Sequence, residues 1–259
     1  MAPYDYVDYA VADGLAEVTL DRPDVLNAFH EPMIEEVVAA LDAAQDDDRV
    51  YAIVLTGRGR GFCSGADVSG MGGERSMAAA TRLWKVQNVV RRLYFGRKPT
   101  VAAVNGPALG AGSDFALACD LRVMAESAFL REQFVNVGLV PGDGGGWLLP
   151  RLVGEAKAKE YLLTGRDITP AAAEDLGLVV EVVEDDAVVD AAREIAAELR
   201  GKPKTALRET KALVGATQSY EDYAGAAIVA QEAATEDPEH TEAVTALREG
   251  REPDYDREY

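Results

Sequence analysis

Histidine and cysteine are scarce in this chain, at two residues each. His30 and His240 have no cysteine or histidine at ligand spacing, so no metal centre is expected. Cys63 and Cys119 could pair on arithmetic alone. Each sits among small or apolar residues inside an expected element, however, which favours two buried free thiols. No apolar run reaches the ~18–20 residues of a membrane span. The opening M-A-P-Y-D-Y-V-D-Y is too acidic and aromatic for a signal or transit peptide. A soluble, cytoplasmic protein with no membrane partner is expected. Basic residues are also short, because 26 Lys and Arg against 45 Asp and Glu leave a net charge of −19. Such a surface repels a phosphate backbone, which excludes nucleic acid as a partner and means that an anionic ligand needs a local basic patch.

What the chain has is length for a large core, 48% apolar residues and 24 glycines, many of them clustered. Residues 4–9 and 15–20 read as paired strands around Ala12-Asp13-Gly14. A helix is expected over Pro32–Gln45, with Met33, Ile34, Val37, Val38 and Leu41 on its apolar side. A buried strand follows at Tyr51–Thr56, then the loop G-R-G-R-G-F-C-S-G-A-D-V (57–68). Gly70–Gly73 reads as a flexible link to a long helix over Glu74–Phe95. The strand Val101–Val104 runs through Asn105-Gly106-Pro107 into a small-residue helix between Gly110 and Cys119. Short strands are expected at Leu121–Met124 and Ala128–Leu130, and short helices at Trp147–Val153 and Glu155–Thr164. Thr169-Pro170 caps another helix, and Val179–Val183 is the last strand. From Ala187 onward the chain is almost wholly helical. The fold class is α/β, with a core over residues 1–185 and a helical C-terminal region over 186–259.

Two Gly/Ala-rich loops carry the chemical signal, S-G-A-D (64–67) and L-G-A-G-S-D (109–114). Minimal side chains leave the backbone N–H groups of Ala66 and Ala111 open to close approach by a ligand. Two such donors from separate loops suit an oxyanion, and Ala111 adds the partial positive charge of a helix N-terminus. Asp114 lies in the first turn of that helix, where the dipole favours its ionised form and suits it to act as a base. Asp143, in P-G-D-G-G-G-W, reads from its residues alone as a common turn aspartate among glycines.

R-P-D-V-L-N-A-F (22–29), G-R-G-F-C-S-G-A-D (59–67), A-V-N-G-P-A-L-G-A-G (103–112) and G-L-V-P-G (138–142) together resemble the crotonase family of enoyl-CoA hydratases and isomerases. The resemblance covers nearly the whole chain. It implies a spiral of ββα units whose C-terminal helices assemble a homotrimer, or a hexamer as a dimer of trimers. It also implies an acyl-CoA substrate, with no cofactor beyond the coenzyme A it carries, whose thioester oxygen is held by Ala66 and Ala111. Val25, Leu26, Ser64, Gly65, Asp67 and Val68 match positions around the coenzyme A. Gly110, Phe134 and Trp147 are further candidates for substrate contact, and Arg22, Arg58 or Arg60 for the phosphates. Family hydratases use two Glu. The first falls on Asp114 and the second on Phe134, an apolar group that dries the pocket and raises the pKa of a neighbouring acid. Glu132 lies two residues earlier, where it need not face the same way. The resulting expectation is double-bond isomerisation through Asp114 and Asp143. Hydration by the same pair, hydrolysis or dehalogenation with Asp143 as nucleophile, and a coenzyme A-binding member without activity are the alternatives.

Overall fold

The computed structural model describes residues 4–67, 76–216 and 220–255. Val68 and the glycines of 70–73 lie outside the described residues. A six-stranded sheet forms the centre. Strands β1 (Val7–Ala12) and β2 (Leu15–Leu20) pair antiparallel. Every other neighbour pair is parallel, through β3 (Ala52–Gly57), β4 (Thr100–Val104), β6 (Leu121–Ala125) and β8 (Glu181–Val183). All of β3 and β4 is buried, as parallel strands covered on both faces must be. A second sheet pairs β5 (Ala108–Leu109) with β7 (Leu130–Arg131).

Strand β1 begins three residues later than the sequence predicts. Asp13 and Gly14 both have positive φ, 50° and 76°, which makes a tight two-residue turn and carries the ladder up to the Ala12–Leu15 pair. Tyr6 N–H instead donates to the Glu36 carboxylate.

Helix α1 (Glu31–Asp46) begins where the His30 ring accepts from the Met33 N–H and Pro32 opens the first turn. It buries Met33, Ile34, Val37 and Leu41, together with Ala40 and Ala44. Helix α2 (Ser76–Phe95) packs on α1 and on α3 (Ala111–Ala118), whose eight residues are all buried. The C-terminal carbonyls of α3 take up the buried Arg122 guanidinium through Ala116, Leu117 and Cys119. That cation satisfies one end of the helix. Its other end opens toward the loop of residues 64–67.

Helices α4 (Gly145–Val153), α5 (Glu155–Thr164) and α6 (Pro170–Asp175) follow, the last capped by the Thr169 hydroxyl as its sequence predicts. Both cysteines are free and buried. Helix α7 (Val188–Arg200) lies across the sheet against β2, β3, β4, β6 and β8. Its buried Val188, Ala192 and Ala196, four residues apart, form a narrow stripe that lets the helix approach closely. These three side chains join the buried core of the sheet. Helices α8 (Lys204–Ala216), α9 (Tyr220–Glu236) and α10 (Pro238–Glu249) complete the chain. The Lys211 ammonium ties α8 to the core, donating to the Leu93 and Lys98 carbonyls and pairing with Asp120 at 2.7 Å.

Candidate active site

Two asparagines shape the loop after β3. Asn27 is fully buried, and its amide donates to the carbonyls of Gly61 and Arg58 at 2.7 and 3.1 Å. Its oxygen accepts from Arg22 N–H at 2.8 Å. Asn105, just past β4, donates to the Gly57 and Gly59 carbonyls, both at 2.8 Å. The loop is thus stapled from both neighbouring segments. Both asparagines lie within the sequence motifs, where their role as staples depends on long-range pairing that the local residues do not show.

The second loop is laid directly against the first. Leu109 N–H donates to the Cys63 carbonyl at 2.9 Å. A Cβ built on Gly65 would stand 2.8 Å from the Leu109 oxygen and 3.9 Å from the Ala111 nitrogen. One on Gly112 would stand 2.1 Å from the Cys63 oxygen. Only glycine permits this approach. Phe29 N–H donates to Gly65 O and Asp67 N–H to Phe29 O, which leaves the Ala66 N–H out of that bridge. The Ala111 N–H, first of α3, likewise has no acceptor among the described residues. Two unclaimed N–H groups from adjacent loops are what an oxyanion requires.

Beside them lie three carboxylates. Asp114 is fully buried in the first turn of α3, and Glu132 is 1% exposed. Gly145, which opens α4, faces both: a Cβ there would fall 2.2 Å from Glu132 Oε2 and 2.4 Å from Asp114 Oδ1. Asp143 stands two residues before α4, half-buried and close enough for its charge to act on both. Burial pushes the Asp114 carboxyl well above the usual carboxylate range, and repulsion from Glu132 and then Asp143 adds to it, while the Gly145 N–H acts the other way. Burial likewise pushes Glu132 up to about 7 and Asp143 up to about 6. The expectation that the helix dipole would keep Asp114 ionised is therefore corrected. Loss of water outweighs the dipole in a site this dry.

Phe134 is also buried, and its ring covers Gly110, lying 3.6 Å from where a Cβ would be. The segment Leu130–Phe134 explains how Glu132 comes to face the site. Leu130, Glu132 and Phe134 are buried, whereas Arg131 and Gln133 are half-buried, an alternation of period two. The strand ends at Arg131 and a 3₁₀ turn begins at Gln133, with Glu132 as its N-cap, so the inward aim of Glu132 is set by this junction and by its contact with Gly145.

Other expected residues fall in different places. The Ser64 hydroxyl donates to the Val25 carbonyl at 3.1 Å, and Ser64 N–H donates to Leu26 O at 2.9 Å, which holds the exposed Val25 beside the first loop. Asp67 is paired with Arg22 at 3.2 Å, and Arg58 with Asp8 and Asp21. Arg60 lies on the surface. Trp147 is not brought to the carboxylates. It packs on Tyr94 and Phe95, with the Arg151 guanidinium 3.8 Å from its ring centroid. A cavity of about 540 Å³ opens against Ala66 and Asp67, walled by Phe29 and His30 ahead of α1 and by Arg82 and Lys85 of α2.

The family model for enoyl-CoA hydratase/isomerase matches residues 10–258. The chain belongs to this family. As a crotonase-family enzyme it resembles a protein named a probable enoyl-CoA hydratase from Rhodobacter capsulatus, 39% identical over 208 residues, 80% of each chain. It is also 34% identical over 213 residues to a 1,2-epoxyphenylacetyl-CoA isomerase of Escherichia coli, 81% of each chain. The crystal structure of an enoyl-CoA hydratase from Bacillus anthracis superposes with a TM-score of 0.93 at 29% identity, over 98% of this chain and 100% of that one. One from Mycobacterium smegmatis gives 0.90 at 30% identity, over 96% and 98%. The crotonase fold expected from the motifs is the fold observed. Among the described residues, no helix is long and apolar enough to cross a membrane.

Proposed function

We propose that this crotonase moves the double bond of an enoyl-CoA, with Ala66 and Ala111 holding the thioester oxygen and Asp143 moving the proton. The observation that carries the reading is the unequal burial of the three carboxylates. Asp143 alone is less than fully buried and keeps a pKa near 6, so it is ionised at neutral pH and within reach of a ligand. Asp114 and Glu132 lie beneath it and are held toward the protonated form. Hydration by the two-carboxylate route needs a water polarised by a matched pair, and Phe134 stands where the second of that pair would be.

The steps balance without a cofactor. The Asp143 carboxylate takes a proton from C2 of a 3-enoyl-CoA. The C–H electron pair becomes the C1–C2 double bond as the carbonyl π pair moves onto the thioester oxygen. The two N–H groups stabilise that oxyanion in the dienolate. Electron return from the oxygen re-forms the carbonyl and shifts the double bond to C2–C3, and C4 takes the proton from Asp143. A relative named 1,2-epoxyphenylacetyl-CoA isomerase supports isomerisation of a coenzyme A thioester in general, not the migration of a double bond in particular.

Incubating 3-enoyl-CoA with the enzyme in deuterated water is expected to yield 2-enoyl-CoA carrying deuterium at C4 or C2. A 2-enoyl-CoA substrate that gains water with no migration of its double bond would identify a hydratase and sink this reading. We also propose a cytoplasmic homotrimer or hexamer. Exposed Ile228, Val229 and Leu247, 71, 67 and 82% accessible on α9 and α10, support assembly through the C-terminal helices. Light scattering on the purified protein is expected to give three or six chains per particle, and a monomer at micromolar concentration would count against it.

A further inference from the structure

No protein donor meets either buried carboxylate of the Asp114–Glu132 pair in full hydrogen-bond geometry. All four oxygens, and the Ser113 hydroxyl beside them, lack a partner in that geometry among the described residues. The Gly145 N–H and the Ser113 hydroxyl nevertheless lie close enough to favour ionised Asp114 and ionised Glu132 respectively. Two ionised carboxylates cannot satisfy one another, because each only accepts. One proton between them converts one carboxyl into a donor and the other into its acceptor, which removes both the repulsion and the unmet need. Two donors act on the pair from outside, the Gly145 N–H on Asp114 and the Ser113 hydroxyl on Glu132, too few for two ionised carboxylates. Gly145 closes over both groups at contact distance, Ser113 belongs to the buried turn of α3, and the charge that faces the pair from the loop ahead of α4 is the carboxylate of Asp143.

We infer that Glu132 is a positioning residue of this site, sharing one proton with Asp114 and so holding Asp114 as a neutral acid beneath the ionised Asp143. The kinetic part of this inference rests on the isomerase reading. The shared proton itself does not. A neutral Asp114 spares Asp143 a second negative neighbour, and Asp143 can then take up and give back a proton near neutrality. Burial of Glu132 gives the site a second carboxylate that faces inward and shares the Gly145 contact with Asp114.

The test compares wild type with Glu132→Gln and Glu132→Asp, using infrared titration of the resting enzyme and the pH profile of kcat/KM. At about pH 8 the wild type is expected to keep one protonated-carboxyl band, and Asp114→Asn is expected to abolish it. In Glu132→Gln the carboxamide donates to an ionised Asp114, so the band is lost at lower pH by about one unit or more. The alkaline limb of kcat/KM should move with it while KM changes less than twofold, and Glu132→Asp should bring both back toward wild type. An Asp114 band that titrates identically in wild type and Glu132→Gln overturns the inference. If Glu132→Gln does not fold, a wild type with no protonated carboxyl above about pH 6 overturns it as well. Should the band behave as expected while 3-enoyl-CoA is not isomerised, the reaction class falls and the shared proton stands. Isomerisation with an unmoved band reverses that outcome.

Discussion

Asp143→Asn is expected to lower turnover of the proposed double-bond migration by about 10²–10⁴-fold, the range over which a positioned general base contributes, and to change KM little. The substitution keeps the shape of the side chain and removes only its capacity to hold a proton. Of the three acidic groups at the site, Asp143 is the one a ligand can reach, since Asp114 and Glu132 are 0 and 1% exposed. Burial has moved its pKa from 3.8 to about 6. A base works in its ionised form, so kcat/KM of the wild type should fall as pH drops through about 6, and the variant's residual rate should lose that limb. Linkage gives a second readout with the opposite sense. A carboxyl whose folded-state pKa is raised stabilises the protein least once it is ionised. Its contribution is present below about pH 4 and is lost as pH rises through 6. Asn carries no such charge. The variant should therefore melt at or above the wild-type temperature at pH 7, which separates lost chemistry from lost structure. A variant as active as wild type would remove Asp143 from the mechanism.

Much of this site could be read from the chain because its parts are local. The glycines around Ala66 and Ala111 announced two backbones that something must approach, and the structure puts those backbones against each other. The Thr169-Pro170 cap and the apolar spacing of α1 were equally explicit. What the sequence could not supply was burial. Asp114 in a first helical turn looks like an ionised group, and only the dry enclosure under Gly145 and beside Glu132 reverses its titration. Glu132 was not legible either, because R-E-Q is polar throughout and the strand gives way to a 3₁₀ turn at Gln133, so nothing in the residues says which way the carboxylate faces. The same holds for Trp147. Its residue type allows either a pocket-lining or a packing role, and the ring packs on Tyr94 and Phe95 at the end of α2. The small-residue stripe of α7 likewise reads as an ordinary surface helix until the sheet it covers is known.

Gly145→Ala should be nearly as damaging as loss of the base, although it removes no functional group. The glycine does not have a positive φ, so its backbone conformation suits alanine and the conflict lies entirely in what the methyl group meets. The new Cβ would stand 2.2 Å from Glu132 Oε2 and 2.4 Å from Asp114 Oδ1, both well inside contact distance. Neither carboxylate can swing into water, because Asp114 is fixed in the buried α3 and Glu132 lies between the buried Leu130 and Phe134. The start of α4 must then lift, and Asp143, two residues upstream, moves with it. A displacement of about 1 Å at a reacting group is enough to cost ~10²-fold in rate, and overpacking of this kind costs roughly 1–3 kcal/mol of stability. We therefore expect kcat to fall by about 10²-fold or more, with a lower melting temperature. Gly142→Ala is the control on the other side of Asp143. Its Cβ would meet nothing closer than the Leu83 methyl groups at 3.4 Å, an ordinary contact, and it should keep turnover within about tenfold. If Gly145→Ala and Gly142→Ala behave alike, the start of α4 is not what holds Asp143 over the buried pair.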